Sequence, residues 1–292
     1  MPWFWVFPAH AAPGREWQAG RMRLATWNVN SVKARLPRLL DWLDAVKPDV
    51  VCLQEIKAPE AAFPTHEVGE LGYASAVHAD GRWNGVALLS RVGLEDVARG
   101  FAGDPGYAGE PDADAPPLLS AEPALETRAI AATCGDTRVW SVYVPNGRTP
   151  ESAHYQYKLA WLDALRAAVG EELAPGRRLA VCGDFNVAPA DSDVWDPAAF
   201  VGSTHVTPPE RDALRKLRDL GLRDVVPRPL KGDHPFTYWD YRAGMFHMDK
   251  GMRIDLVYAS DALADAVTDA YIDREARKGK GPSDHAPVIV DC

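Results

Sequence analysis

Near the middle of the chain an apolar run ends in a carboxylate and a carboxamide, Asp184 and Asn186, with one aromatic residue between them. In an extended strand alternate side chains share a face, so this spacing predicts that both groups point the same way. Gly183, directly before them, would let the backbone come close to whatever these two groups bind. Residues 178–189 are therefore predicted to bring two oxygen-rich groups to one edge of a sheet.

Other polar side chains also stand where predicted strands end. Asp at a strand end is usually a turn former, and a lone Glu or His is usually an ordinary polar residue. Each position alone is therefore weak evidence for a functional site. Asp255 is harder to explain in this way, because it lies between Ile254 and Leu256 and an unpaired buried carboxylate would be costly. Strand ends are where α/β proteins build their sites. The further positions are Asn28, Glu55, Asp255, Asp284 and His285.

The donor chemistry of this set favours a hard cation. It is rich in carboxylates and amides and contains no thiol, which suits Mg²⁺ or Mn²⁺ better than zinc. The four cysteines of the chain show no C-x-x-C spacing, and three of them lie in apolar, strand-like runs. We therefore expect reduced core cysteines in a cytoplasmic protein.

The elements that must position these residues alternate between strands and helices. Strand, helix and strand over residues 22–54 indicate a sheet covered by helices, and the strands that follow are too many for one small sheet. We expect one α/β domain over residues 22–292, a disordered extension over 1–21, and a long surface loop or partly disordered insertion over 100–126. Further strands are predicted at 73–78, 85–90, 128–133, 138–144, 178–184, 236–239, 253–259, 267–272 and 287–290, and helices at 153–169 and 210–220.

Length and charge limit the possible functions. A chain of 292 residues with 47% hydrophobic residues can bury a substantial core. No apolar run approaches the roughly 20 residues that span a bilayer, so we expect no membrane partner. The net charge of −9 argues against a protein coated in nucleic acid, but residues 95–126 alone hold eight acidic residues and one basic residue. The remainder is close to neutral and is able to carry a local basic face.

The order and spelling of the motifs resemble the exonuclease III family. These are the class II apurinic/apyrimidinic endonucleases of the endonuclease/exonuclease/phosphatase superfamily, and the resemblance runs from about Met22 to the C-terminus. Gly-Asp-Phe-Asn and Ser-Asp-His alone would fit the whole superfamily, including lipid and inositol phosphatases. The segments that narrow the resemblance to the DNA-repair branch are Thr26-Trp27-Asn28-Val29-Asn30, Tyr143-Val144-Pro145-Asn146-Gly147 and Phe236-Thr237-Tyr238-Trp239-Asp240-Tyr241.

The resemblance implies a four-layered α/β sandwich, in which two packed mixed β-sheets are flanked by helices. It implies that Glu55 is the principal metal ligand, assisted by Asn28 and Asp284, with Asp184 and Asn186 also at the metal. Asp184 would activate the attacking water or protonate the leaving group, and Asn186 would position the phosphate. His285, held in one tautomer by Asp255, and Tyr143 would contact the phosphate in the transition state.

The same resemblance implies a double-stranded DNA substrate with abasic sites or 3′ ends, and a monomeric enzyme. Asn146 and Arg148 are predicted on the phosphate side, and Tyr238 and Trp239 as the aromatic wall of a pocket for an extruded baseless sugar. Arg274 and Lys278, in the basic stretch 274–280, are the best predicted phosphate contacts. The acidic residues 104–126 are expected to lie away from the duplex.

Two rival functions remain open at this point. A superfamily phosphatase acting on a small phosphoester would share the metal and acid–base residues, although the aromatic segment 236–241 argues against it. A non-catalytic DNA-binding relative would have lost Glu55, Asp184, Asp255 or His285, and none is lost. The motifs are shared by endonuclease, exonuclease and 3′-phosphatase activities and fit one or two metal ions.

Overall fold

The computed structural model describes residues 21–81, 83–110 and 122–292. The predicted extension therefore lies almost wholly outside the described residues, as does the middle of the acidic insertion. The helices are α1 (Val32–Val46), α2 (Thr65–Glu70), α3 (Ala153–Glu172), α4 (Pro208–Arg218) and α5 (Asp261–Ala264). The strands are β1 (Arg23–Asn28), β2 (Val50–Gln54), β3 (Ala74–His78), β4 (Val86–Ser90), β5 (Glu95–Arg99), β6 (Ala129–Cys134), β7 (Thr137–Tyr143), β8 (Arg178–Asp184), β9 (Leu222–Asp224), β10 (Arg228–Pro229), β11 (Asp255–Ser260), β12 (Asp269–Ile272) and β13 (Val288–Asp291).

The strands form two mixed sheets. Within the described residues one sheet has seven strands in the order β10-β12-β13-β1-β2-β4-β3, and the other has six in the order β5-β6-β7-β8-β11-β9. Strands β1 and β2 run parallel in the first sheet, and β7 and β8 run parallel in the second. Their carboxyl ends carry the polar residues that the sequence singled out.

The two sheets pack face to face, and helices cover their outer faces. The central core joins Leu24 and Cys52 of the first sheet to Val139 and Cys182 of the second. Helix α1 packs its apolar stripe on the outer face of the first sheet, and α3 and α4 pack on the outer face of the second. The predicted four-layered α/β sandwich is thus confirmed.

Local sequence explains the contact between the central strands. A Cβ atom at Gly183 would lie 1.9 Å from the carbonyl oxygen of Val142, so β7 and β8 reach their observed spacing only with glycine there.

All four cysteines are buried and free. None of the helices in the described parts of the chain has the length and apolar character needed to cross a bilayer.

Some predicted elements differ from the observed ones. Residues 236–239 form no ladder strand, because Tyr238 makes only isolated bridges to Met252 and His285. Strands β5, β9 and β10 were not predicted: β5 is a charged edge strand with little buried surface, and the other two are very short. Helix α3 is longer than predicted, since it continues to Glu172.

Candidate active site

The carboxyl ends of the central strands of both sheets meet at one edge of the sandwich. The side-chain amide of Asn28, at the end of β1, donates hydrogen bonds of 2.9 Å to Glu55 Oε1 and of 2.9 Å to Asp184 Oδ2. Glu55 follows β2 of the same sheet, whereas Asp184 ends β8 of the other sheet. One buried amide therefore links the two sheets at the point where their acidic groups converge.

Glu55 is held by donors on several sides. Besides Asn28, the hydroxyl of Tyr143 donates to Glu55 Oε1 at 2.9 Å, and the ammonium of Lys57 lies 2.5 Å from Oε2. Burial raises the pKa of Glu55, but the charge of Lys57 and the bond from Asn28 outweigh it, so this pKa lies below its ordinary value. The residue also adopts a left-handed backbone angle, φ 55°, which is unusual outside glycine.

Asp184 is fully buried between groups of both charges. Its Oδ1 accepts a 2.9 Å hydrogen bond from the Asn186 backbone, and its Oδ2 lies 3.8 Å from Nε2 of His285. Burial raises the pKa of Asp184, His285 lowers it, and the negative charges of Asp255 and Glu55 raise it again, to about 7 in total. A carboxyl group with this pKa is able to accept or donate a proton near neutral pH.

His285 and Asp255 form a buried pair next to Asp184. Nδ1 of His285 lies 2.8 Å from Asp255 Oδ2, and Asp255 stands directly opposite Asp184 in the antiparallel pairing of β11 with β8. Burial lowers the pKa of His285, but Asp255 and then Asp184 raise it to about 10. The imidazole is therefore charged at neutral pH, with its Nε2 directed towards Asp184.

Two carboxylates and one imidazole meet at this point: side-chain atoms of Glu55, Asp184 and His285 lie within 4.8 Å of one another, the only such grouping of His, Cys, Asp or Glu in the described ranges. A charged His285 has no free nitrogen for a cation, so Glu55 and Asp184 are the two that are able to share one. His285 was not predicted as a metal ligand. The other predicted ligands are turned towards hydrogen bonds: Asn28 Oδ1 accepts from the Asn30 backbone, and Asp284 Oδ1 accepts from the Asn30 side chain.

Two asparagines face each other beside the acidic cluster. The side-chain amide of Asn146 donates to Asn186 Oδ1 at 3.2 Å, and that of Asn186 donates to the carbonyl of Val144 at 3.0 Å. The oxygen of Asn186 is thus already engaged by an amide in this arrangement rather than directed at the carboxylates. Asn186 directly follows β8 and Asn146 lies in the β7–α3 loop, so the fold brings the two predicted phosphate-side asparagines next to each other.

The aromatic segment is split between the site and the core. The Tyr238 ring lies 4.9 Å from the His285 ring, so this tyrosine borders the cluster. Trp239 is only 1% exposed, donates its indole N–H to Asp249 and packs edge-on against Phe246. The prediction that Trp239 lines an open pocket is therefore wrong for this arrangement, because neighbouring residues of the same segment point to opposite sides.

The basic stretch 274–280 is divided: Arg274 and Arg277 are turned inward, whereas Lys278 and Lys280 are exposed. Arg274 donates to the Phe246 carbonyl, pairs with Asp249 at 3.0 Å and stacks on the Phe246 ring, leaving 14% of its side chain exposed. Its predicted role as a free phosphate contact is not supported by this placement. Lys278 is 49% exposed and pairs with Glu275, so its ammonium stays available at the surface.

The start of the acidic insertion reaches the predicted DNA-binding loop. Glu110 lies 3.1 Å from the guanidinium of Arg148, and its other oxygen accepts from the Ala153 backbone at the beginning of α3. Tyr107 stacks beneath the same arginine, 5.7 Å from the guanidinium carbon to the ring centre. Arg148 was predicted to contact DNA, whereas the acidic segment was predicted to lie away from it. Because Glu110 of that segment pairs with Arg148, the two predictions are incompatible at residue 110.

Two supporting residues were not predicted. Asn30 accepts a 2.7 Å hydrogen bond from Lys57 and donates one of 3.0 Å to Asp284. Its position two residues after Asn28, just beyond the end of β1, is the sequence feature that would have indicated it. Arg128 is buried, pairs with Glu126 at 2.6 Å and lies 4.8 Å from the Tyr143 ring centre. Nothing local in the sequence distinguishes Arg128 from a solvated charge beside an acidic loop.

Buried acidic groups, a charged histidine and paired amides at the joint edge of two sheets define a phosphoester hydrolase of a two-sheet α/β class. Residues 25–285 match the model of the Endonuclease/Exonuclease/phosphatase family. The chain therefore belongs to the endonuclease/exonuclease/phosphatase family. The predicted likeness to its exonuclease III branch is also confirmed, and the chain is a hydrolytic nuclease of that type.

Individual relatives agree over almost the whole length. The chain is 29% identical to exodeoxyribonuclease III of Haemophilus influenzae, over 92% of this chain and 99% of the relative. The structure of a 3′-5′ exonuclease from Neisseria meningitidis matches with a TM-score of 0.82 and 36% identity, covering 92% of this chain and 98% of that one. An AP endonuclease from Archaeoglobus fulgidus matches with a TM-score of 0.80 and 32% identity, again over 92% and 98%.

Proposed function

We propose that this protein is a metal-dependent DNA-repair phosphodiesterase that cleaves 5′ to abasic sites and degrades or trims 3′ ends of duplex DNA. The observation that carries the proposal is the grouping of Glu55, Asp184 and His285 within 4.8 Å. Phosphodiester hydrolysis develops negative charge on phosphate oxygens, and a cation with fixed donors around it stabilises that charge. The names of the relatives, an exodeoxyribonuclease III and an AP endonuclease, support DNA as the substrate.

We propose Mg²⁺, or Mn²⁺, as the cation, held mainly by Glu55 and Asp184. The fit rests on the donor set, since two carboxylates without any thiol suit a hard cation. The imidazole of His285 stands at the edge of the same space, whereas Asn28 presents its N–H groups and so orients the two carboxylates. Asp284, tied to Asn30, is proposed as a supporting ligand. When bound, the cation would stabilise charge on the phosphate and on the departing oxygen.

The residues of the chain divide the remaining work. Asp184, buried with its Oδ2 3.8 Å from Nε2 of His285, is proposed to take the proton of the attacking water or to give one to the leaving group. The charged His285, oriented by Asp255, and the hydroxyl of Tyr143 are proposed to donate hydrogen bonds to phosphate oxygens. The amide of Asn186, with Asn146 against it, would fix the orientation of the phosphate.

DNA recognition is proposed to depend on shape more than on base identity. An abasic sugar lacks a stacked base, so its extrusion costs less than the few kcal/mol of an intact nucleotide. Tyr238, beside His285, is the aromatic residue of the predicted wall that borders the cluster. Arg148, 56% exposed, and Lys278 are the predicted phosphate contacts whose charges remain at the surface.

The direct test uses a duplex oligonucleotide that carries a single abasic analogue. We expect incision 5′ to the lesion in Mg²⁺, loss of incision in EDTA, and a loss of about 10²–10⁴-fold in kcat for Asp184→Asn, because the variant keeps the size of the side chain but cannot carry the proton. Asp163→Asn, an exposed position on α3, is the matched control and should behave like the wild type. Activity confined to a soluble phosphomonoester would instead support a small-molecule phosphatase.

We further propose that residues 22–292 act as one domain and one monomer in the cytoplasm. The free, buried cysteines suit a reducing compartment. The matched family region, residues 25–285, includes elements of both sheets and leaves no separate unit of comparable size.

A further inference from the structure

A lysine lies buried directly behind the two site asparagines. Lys158, in the first half of α3, has none of its side chain exposed. Its ammonium donates to the backbone carbonyl of Asn146 at 3.1 Å and to that of Asn186 at 2.7 Å. It also forms an ion pair with Glu210 at the beginning of α4. An ammonium has three N–H donors, which match these three acceptors, and the Thr204 hydroxyl is a more distant fourth contact at 3.4 Å.

Glu210 is itself fixed on every side. Its Oε1 accepts from the Thr204 hydroxyl at 2.6 Å and from the His205 backbone at 3.0 Å. Its Oε2 accepts from the backbone and the hydroxyl of Thr207 at 3.0 and 2.8 Å, which makes Glu210 part of the capping box of α4. The carboxylate therefore holds Lys158 in place rather than moving with it.

The loop between β7 and α3 is fitted closely around this lysine. A Cβ atom at Gly147 would lie 2.6 Å from the Thr204 hydroxyl and 3.1 Å from Cδ of Lys158, and Gly147 has a φ of 96°. The Gly147 N–H donates to Nδ1 of His154 at 3.0 Å. The backbone next to Asn146 thus has one arrangement that satisfies its hydrogen bonds and avoids a clash.

An ion pair is an expensive way to fill this space. Two buried charges lose their hydration, and apolar side chains of similar volume often give equal or greater stability. What an ammonium provides in addition is three directed bonds from one point. Here two of them join the loop of Asn146 to the loop of Asn186, whose side chains meet at 3.2 Å on the side of the acidic cluster.

We propose that Lys158, held by Glu210, is a positioning residue for phosphodiester hydrolysis: it ties together the backbones of Asn146 and Asn186 so that their side-chain amides are preorganised for the phosphate. The inference rests on the proposed function of those two amides. Lys158 touches neither the substrate nor the cation. Its effect passes through the two loops, and it should therefore alter the rate of the chemical step more than the affinity for DNA.

The first measurement compares Lys158→Met with Arg138→Met on the abasic duplex. Arg138 is a matched control, because it is also buried, pairs with Glu172 at 2.8 Å, and lies at the start of β7, at the other end of the strand from the site. We expect Lys158→Met to lower kcat at least tenfold with KM within threefold of the wild type. Arg138→Met should lower Tm while kcat stays within twofold. A kcat within twofold for folded Lys158→Met would overturn the proposal.

A second comparison separates positioning from general damage to the fold. In a background with both Asn146→Ala and Asn186→Ala, Lys158→Met should lower kcat by less than a further twofold, because the groups that it positions are gone. The same tenfold loss in that background would contradict the proposal.

A third measurement does not depend on activity or on the Lys158 variant folding. Glu210→Gln keeps the side-chain size but removes the charge that holds Lys158. We expect amide hydrogen exchange in peptides covering residues 144–149 and 185–189 to become at least fivefold faster, with no change there in Arg138→Met. Unchanged exchange in both peptides would overturn the proposal. An inactive wild-type enzyme would overturn the proposed function, whereas an active enzyme with unchanged exchange would overturn only the tie between the two loops.

Discussion

At the scale of single residues, the site is a set of buried ionisable groups, and the pKa values of two of them, Asp184 and His285, are both displaced upward. Asp184 is raised to about 7 and His285 to about 10, although burial alone would lower the pKa of a histidine. The carboxylate of Asp255, 2.8 Å from His285, is the main reason why the pKa of this histidine is raised in spite of burial. In the metal-free protein a partly protonated carboxyl group therefore stands beside a charged imidazole near neutral pH.

This arrangement predicts the effect of Asp255→Asn on its partner. Without the carboxylate, the effect of burial is opposed only by the charges of Asp184 and Asp284, and we expect the pKa of His285 to fall from about 10 towards the ordinary 6.5. NMR titration of the imidazole in metal-free protein measures the change. Asp284→Asn is the control and should give a smaller fall, because Asp284 raises the pKa of His285 less than Asp255 does. An unchanged pKa in Asp255→Asn would refute the assigned pairing.

At the scale of elements, much of the fold was predictable because the spacing of apolar residues differs between strands and helices. The unit β1–α1–β2 was predicted because its apolar spacing changes from strand-like to helical, and in the structure the Ser31 hydroxyl caps the start of this helix. Strand β5 escaped prediction because Glu95, Asp96 and Arg99 show no apolar alternation on an edge. Residues 236–239 alternate like a strand, but their backbone bonds go to Met252 and Asp284.

The site was predictable in membership but not in orientation. Motifs indicated that Glu55, Asp184 and His285 belong together, and the folded chain brings them within 4.8 Å. Which way a side chain turns depends on partners far away in the chain. Arg274 is drawn inward by Asp249 and Phe246, and no local pattern distinguishes it from Lys278, which stays at the surface.

The contact between the acidic insertion and the β7–α3 loop gives a prediction at this scale. Glu110→Gln removes the charge that pairs with Arg148, so the guanidinium becomes free for phosphate and DNA binding should tighten by up to about fivefold, the factor of an exposed ion pair. Fluorescence anisotropy with an uncleavable abasic duplex in EDTA measures the affinity. Glu151→Gln removes the same charge from an exposed neighbouring position and serves as the control. Equal tightening in both variants would mean that only net charge matters.

At the scale of the whole molecule, the balance of charge and burial makes stability depend on pH. His205 is a clear case, because loss of water around its ring and the charge of Lys158 lower its pKa to about 4. The unfolded chain binds a proton at this residue below about pH 6.5, whereas the native state does so only near pH 4. The stabilising contribution is therefore complete above 6.5 and is lost as the pH falls towards 4.

Between pH 7 and pH 5 this residue should account for about 2 kcal/mol of lost unfolding free energy, at about 1.4 kcal/mol per pH unit over the affected range. Urea unfolding at the two values, with His205→Gln as the comparison, measures it. The variant should lose less stability than the wild type over the same interval. Identical losses would show that His205 titrates normally in the native state.

The central claim for the molecule is that strand ends from two sheets converge on one divalent cation and one phosphate. The Mg²⁺ dependence of abasic-site incision by Glu55→Gln tests it most directly. We predict that the Mg²⁺ concentration for half-maximal rate rises at least tenfold, because a ligand charge is lost at the junction. The matched variant Glu60→Gln, in the loop after β2 and paired with Arg99, should keep the wild-type value. A wild-type Mg²⁺ dependence in Glu55→Gln would contradict the account.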